Sequence, residues 1–179
     1  MKAIAFTGMP GAGKTEAVKV AKEMGLEVIS IGDEVRQEAE RRGLKLTDEN
    51  VGKLADDMRK KYGKDIWARK CFEKIKGKEI VVIDGIRNIE EVERFRKEIK
   101  DFILIAIHAS PATRYERLVK RGREDDSKNI EDLKIREKRE LEWGLGNVIA
   151  MADIVVVNEG DLEEFKEKVK KILQEIISK

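Results

Sequence analysis

Thiols and imidazoles are nearly missing from this sequence: among 179 residues, Cys71 is the one cysteine and His108 the one histidine. A lone cysteine forms no intrachain disulfide and leaves no thiol cluster for a zinc site, so a reducing, cytoplasmic setting is expected. No apolar run approaches the ~18 residues of a membrane helix, and the opening MKAIAFTG lacks the long apolar core of a signal peptide. Membrane contact is therefore not expected. An excess of one charge is missing too. The 38 Lys and Arg face 36 Asp and Glu, a net +2, whereas a general nucleic-acid binder needs basic residues to outnumber acids. With 2 Gln and 5 Asn in a chain that is 41% charged, the composition matches that of heat-adapted proteins. No repeat, low-complexity tract or linker interrupts the sequence, so one domain over residues 1–179 is expected.

What is present is a set of five short runs rich in Ile and Val, at residues 3–7, 27–31, 79–83, 102–107 and 154–157, separated by longer charged segments of helical period. This alternation predicts an α/β fold, a five-stranded parallel sheet between two layers of helices. Val81, Val82 and Ile83 are consecutive, as are Ile103, Leu104 and Ile105, which predicts strands buried on both faces. Gly25 and Gly43 mark the ends of helices beginning near Gly13 and Asp33. Asn88 with Glu91 and Asp161 with Glu164 have capping-box spacing, and Ser110-Pro111 reads as an N-cap and first helical residue. Residues 47–77 predict two helices inserted between the second and third strands. In the last helix Leu162, Phe165, Val169, Leu173 and Ile176 share one face, a stripe for core packing.

Gly8-Met9-Pro10-Gly11-Ala12-Gly13-Lys14-Thr15 matches G-x-x-x-x-G-K-[ST] in full, after a predicted strand and before a predicted helix. Such a loop curls so that backbone N–H groups and the positive end of the helix dipole face a phosphate. Lys14 is then placed to meet the β- and γ-phosphates of ATP, and the Thr15 hydroxyl to ligate Mg²⁺. The run Ile80-Val81-Val82-Ile83-Asp84 is an apolar strand ending in a carboxylate, the form of a Walker-B acid, which makes Asp84 a second Mg²⁺ ligand.

Three further clusters follow: Gly32-Asp33-Glu34-Val35-Arg36 after the second strand, Asp84-Gly85-Ile86-Arg87 after the third, and Arg117-x-x-x-Arg121-x-Arg123-x-Asp125-Asp126 with Arg136 between the fourth and fifth. With the P-loop, these make the chain resemble the nucleoside monophosphate kinase superfamily, adenylate-kinase-like P-loop kinases. It is most similar to an archaeal group described as adenylate-kinase-related or dephospho-CoA-kinase-like. The resemblance runs from Ala3 to about Leu173. It implies an acceptor-binding insertion at about 33–76 and a short lid at about 121–136. It further implies that Arg36 and Arg87 grip the acceptor's phosphate, with Asp33 also in the substrate-binding set, and that Arg117 packs against adenine. Arg121, Arg123 and Arg136 would close over the transferring group, and Asn158 and Gly160 would give backbone contacts to the base. The implied activity is transfer of the ATP γ-phosphoryl to a phosphate-bearing small molecule, foremost a nucleoside monophosphate. Independently of the family, arginines suit the task, because a planar guanidinium grips phosphate with two parallel hydrogen bonds.

The sequence departs from relatives of that superfamily at several places. Adenylate kinases write D-G-x-P-R where this chain has Asp84-Gly85-Ile86-Arg87. It has no cysteine tetrad for a zinc-bound lid, no D-R-[YFH] element, and Gly32-Asp33 where dephospho-CoA kinases carry D-x-D. Dephospho-CoA kinase-like activity and a nucleotide-binding regulatory NTPase are the alternatives; against the latter, no N-K-x-D base-reading motif occurs. Arg41, Arg42 and Arg139 read as surface residues, His108 as structural, and Trp67 and Trp143 as packing residues, with Trp67 in the segment that shapes the acceptor pocket.

Overall fold

In the computed structural model, residues 1–121 and 130–179 are described, Arg121 by its backbone only. Five parallel strands form one sheet in the order β2-β3-β1-β4-β5: β1 Lys2–Thr7, β2 Val28–Ser30, β3 Ile80–Asp84, β4 Asp101–His108 and β5 Ile154–Val157. Side chains alternate across it. Ala3, Ala5, Val81, Ile83 and Leu104 face one hydrophobic core, and Ile4, Phe6, Val82, Ile105 and Ile107 face the other, as the two-residue period of a strand dictates. Helices α1 (Lys14–Glu23) and α9 (Leu162–Ile177) cover the second core. The first lies beneath α2 (Ile31–Arg41), α3 (Asp48–Tyr62), α4 (Ile66–Ile75), α5 (Ile89–Glu98) and α8 (Leu145–Ala150). This is the expected three-layer α/β arrangement.

The helix boundaries follow local chemistry. Asn88 accepts from the Glu91 N–H at 2.8 Å, and Asp161 from those of Glu163 and Glu164 at 2.9 and 3.1 Å, so both anticipated caps form. Helix α2 starts two residues earlier than Asp33, because the Ser30 hydroxyl accepts from the Asp33 N–H and turns the chain out of a three-residue β2. Helices α6 (Pro111–Arg121) and α7 (Ile130–Glu142) flank residues 122–129, which lie outside the described set. The short α8 was not anticipated; Gly144, at φ 101°, sets its start. Trp67 is fully buried in the first core, its indole N–H donated to Ala55 O at 3.3 Å, so it supports the insertion from within and lies off the pocket.

Parallel pairing aligns the carboxyl ends of the central strands. Phe6 and Ser30 are both in register with Asp84, and Thr7 is in register with Ala106. The P-loop leaves β1 at this edge, in the crevice where such sheets bind ligands.

Candidate active site

The P-loop is held from behind by side chains that leave its front open. Gly13, at φ 113°, packs so closely on Asn158 that a Cβ there would lie 2.3 Å from Asn158 Nδ2. Gly11, at φ 82°, sits against the Arg114 backbone, where a Cβ would come within 2.7 Å of its oxygen. Neither position admits a side chain. Asn158 Nδ2 donates to Ala12 O at 2.9 Å, and buried Arg114 donates to Ala109 O and Pro10 O at 3.1 and 3.3 Å while pairing with Glu137. Helix α1 begins at Lys14 with no side chain capping its first turn, which leaves its N–H groups to an anion.

Lys14 is surrounded by charge. Burial holds its pKa below the ordinary lysine value, the Asp84 carboxylate works against that, and the Arg87 guanidinium adds to it. Asp84 ends β3 as expected, and its Oδ1 is buried without a hydrogen-bond partner. A hard cation would satisfy this orphaned oxygen, so the residues present fit a Mg²⁺ site made by Asp84 and the Thr15 hydroxyl. Thr7 Oγ1 donates to Ile86 O at 2.9 Å and Gly85 N to Phe6 O at 3.1 Å, tying the Asp84-Gly85-Ile86-Arg87 turn to β1.

Two chambers open from here. The P-loop chamber is lined by Gly11, Gly13, Lys14, Thr15, Asp84 and Arg117. A second lies among α2, α3 and α7, and Gly32, Arg36, Arg87 and Arg136 line both. Arg36, Arg87 and Arg136 therefore share the wall between the two chambers. Each has an acid beside it. Arg36 pairs with Asp33 at 2.5 Å; Arg87 Nε lies 3.5 Å from Glu140 and its Nη1 donates to Gly85 O at 2.9 Å; Arg136 Nε lies 3.2 Å from Glu140 and 3.6 Å from Asp48.

Glu140, 3% exposed, is the site residue that sequence reading missed. Burial alone would raise its pKa, but the Arg87 and Arg136 guanidiniums and the Lys14 ammonium overcome that and hold it down at about 2. Its signal in the sequence was one more Glu on a charged helix. Arg139 was read as a surface residue, and the structure corrects this: it sits on the wall of the second chamber, donating to both oxygens of Asp48 at 2.9 and 3.0 Å. Arg59 and Trp143 line the same chamber, whereas Arg41 and Arg42 stay exposed and pair with Glu38. His108 is exposed, and its backbone oxygen accepts from Asn158 N at 2.8 Å.

Arg117 donates through Nη2 to Asn158 O at 2.9 Å, while its Nη1 is buried and unpartnered on the chamber wall. Asn158 thus bonds through its N–H, oxygen and side-chain amide, and it braces the P-loop from beneath. Gly160 is exposed beyond β5. Arg123 and the side chain of Arg121 lie outside the described residues.

Comparison with known proteins gives the family and the fold. A family model described as an AAA domain matches residues 7–134. The chain is 50% identical over 182 residues to a UPF0200 protein of Methanocaldococcus jannaschii, covering 99% of this chain and 92% of that one. A UPF0200/UPF0201 protein of Archaeoglobus fulgidus is 51% identical over 178 residues, 97% of this chain; that protein is longer, and the match spans 55% of it. Among solved structures, a gluconokinase from Sinorhizobium meliloti superposes with TM-score 0.63 at 19% identity, covering 98% of this chain and 93% of that one. A shikimate kinase from Bacteroides thetaiotaomicron gives TM-score 0.63 at 19% identity, covering 99% of both chains. The chain belongs to the UPF0200 family, and its P-loop domain, of the AAA type, has the fold of small-molecule kinases.

Proposed function

We propose that the protein is a phosphotransferase that moves the γ-phosphoryl of ATP to a phosphate-bearing small molecule, foremost a nucleoside monophosphate. The observation that carries this reading is the junction of the two chambers, where Arg36, Arg87 and Arg136 stand between the P-loop and a separate cavity. A hydrolytic switch has no need of a second chamber that shares its arginines with the P-loop. In this reading ATP occupies the P-loop chamber, with Lys14 against its terminal phosphates, and the acceptor occupies the second chamber. Thr15 and Asp84 would hold a Mg²⁺ ion, which would supply charge neutralisation on the phosphates. Transfer needs little covalent help from the protein: two phosphates must be aligned, their charge offset and water kept out.

The character of the carboxylates favours a phosphate over a hydroxyl acceptor. A hydroxyl has to lose a proton, and an efficient base has a pKa near the working pH. Glu140 is committed to Arg87 and Arg136, and Asp33 is exposed and paired with Arg36. A phosphate acceptor arrives already ionised.

The test is transfer from γ-labelled ATP to ribo- and deoxynucleoside monophosphates and dephospho-CoA, with Lys14→Ala as the control. The expected result is labelled diphosphate or CoA product, reduced by about 10³-fold or more in the Lys14 variant while its circular dichroism is unchanged. ATP hydrolysis with no transfer to any acceptor would support the regulatory NTPase instead.

A further inference from the structure

The second chamber has a hydrogen-bonding signature at the end away from the P-loop. Its acids are occupied: Asp48 gives both oxygens to Arg139, and Glu140 gives one to Arg136 and the other to Arg87. Thr47 Oγ1 accepts from Asn50 N, and the Trp143 indole N–H is donated to Asp56. Its donors are in surplus. Arg59, 5% exposed, spends Nη2 on Glu91 at 2.9 Å, while its Nε and Nη1, and Nε of Arg139, are buried with no hydrogen-bond partner. Both guanidiniums gather at one ring, 4.5 and 5.5 Å from the Trp143 centroid. Val35, Val51 and Ala55 add apolar surface to the same chamber. A guanidinium donates and never accepts, so several converging buried N–H groups call for keto or carboxylate oxygens, whose two lone pairs serve more than one donor where a ring nitrogen serves one.

The geometry points to a recognition subsite at Arg59, Arg139 and Trp143 that takes the far end of the acceptor, an apolar body tipped with keto or carboxylate oxygens. This rests on the kinase reading above and names its acceptor class, a phosphate-bearing molecule of which a uracil nucleotide is the best nucleoside case. An exocyclic amine, as on adenine, would aim hydrogens at a wall whose carboxylates are already paired. The same oxygen chemistry could come from a phosphorylated sugar acid.

The test is calorimetric titration of the full chain with UMP, AMP and a phosphorylated aldonic acid. UMP or the sugar acid is expected to bind at least about 10-fold tighter than AMP, and the tighter of the two identifies the source of the oxygen. Arg59→Lys keeps a cation beside Glu91 but removes Nε and Nη1, and should bring the preference over AMP to within about 3-fold with the thermal midpoint close to wild type. Should that variant not fold, Arg139→Lys, which removes the other free donor, is expected to narrow the preference. AMP binding as tightly as both others, or a preference unchanged in a folded variant, would overturn the subsite. Transfer from ATP without any such preference would sink the subsite and leave the kinase reading standing; the preference without transfer would do the reverse.

Discussion

At Glu140 a carboxylate outside both Walker motifs sets the charge of the site. It is almost fully buried, yet two arginines and Lys14 keep it ionised down to about pH 2. In an unfolded chain it would titrate near 4.5. Because the folded pKa is the lower one, the stability it contributes is present above pH 4.5 and is lost as the pH falls toward 2. Over that window the linkage amounts to about 3 kcal/mol. Denaturant unfolding of wild type and Glu140→Gln from pH 6 to 2.5 should show a smaller loss of stability in the variant by roughly that amount. The Gln variant should also be less stable at pH 7, since Arg87 and Arg136 lose the charge between them. Equal pH dependence in the two proteins would remove Glu140 from the electrostatic core of the site. Residues of this kind escape a reading of the sequence for a physical reason: in a chain that is 41% charged, Glu140, Arg59 and Arg139 look like the solvated face of a helix until tertiary packing buries them.

At the scale of elements, α3 and α7 face each other across the acceptor chamber and are joined by Asp48 and Arg139. The approach depends on Gly52 in α3, where a Cβ would fall 2.5 Å from Arg139 Cζ. Arg139 is the end of a flexible side chain, so Gly52→Ala should expel the guanidinium rather than break the helix, and alanine gains up to about 1 kcal/mol of helix propensity. The expected outcome is an unchanged or higher thermal midpoint, an acceptor KM raised several-fold and an unchanged ATP affinity. A raised KM for ATP of equal size would mean that the two chambers are not separate. The helices themselves were visible in the sequence wherever caps and glycine stops marked them, at Asn88, Asp161, Gly25 and Gly43. Element α8, six residues long, starts at Gly144 without a side-chain cap, and its Val148 packs into the first core.

Over the whole molecule, the five strands and the phosphate loop could be read directly, because apolar runs and the Walker spacing are local features. The strand order 2-3-1-4-5 could not; it emerges from pairing across 70 and more residues, such as Ala3 with Val81 and with Phe102. That order sets Asp84 and Ser30 at the P-loop edge and so creates the two-chamber cleft. The near-balanced charge of the chain persists at this scale, with Arg36, Arg59, Arg87 and Arg139 each beside an acid, Asp33, Glu91, Glu140 and Asp48. Phosphates entering the cleft would therefore compete with ion pairs already in place.

The central claim is that these chambers hold two phosphate-bearing molecules end to end. It is tested most directly by calorimetric titration with a bisubstrate compound in which adenosine and a second nucleoside are joined through a phosphate chain. Simultaneous occupancy predicts binding tighter than ATP by about 10²-fold or more, with the gain lost in Arg36→Ala, since joined ligands engage the second site at high effective concentration. An affinity equal to that of ATP, unaffected by Arg36→Ala, would contradict the two-site account.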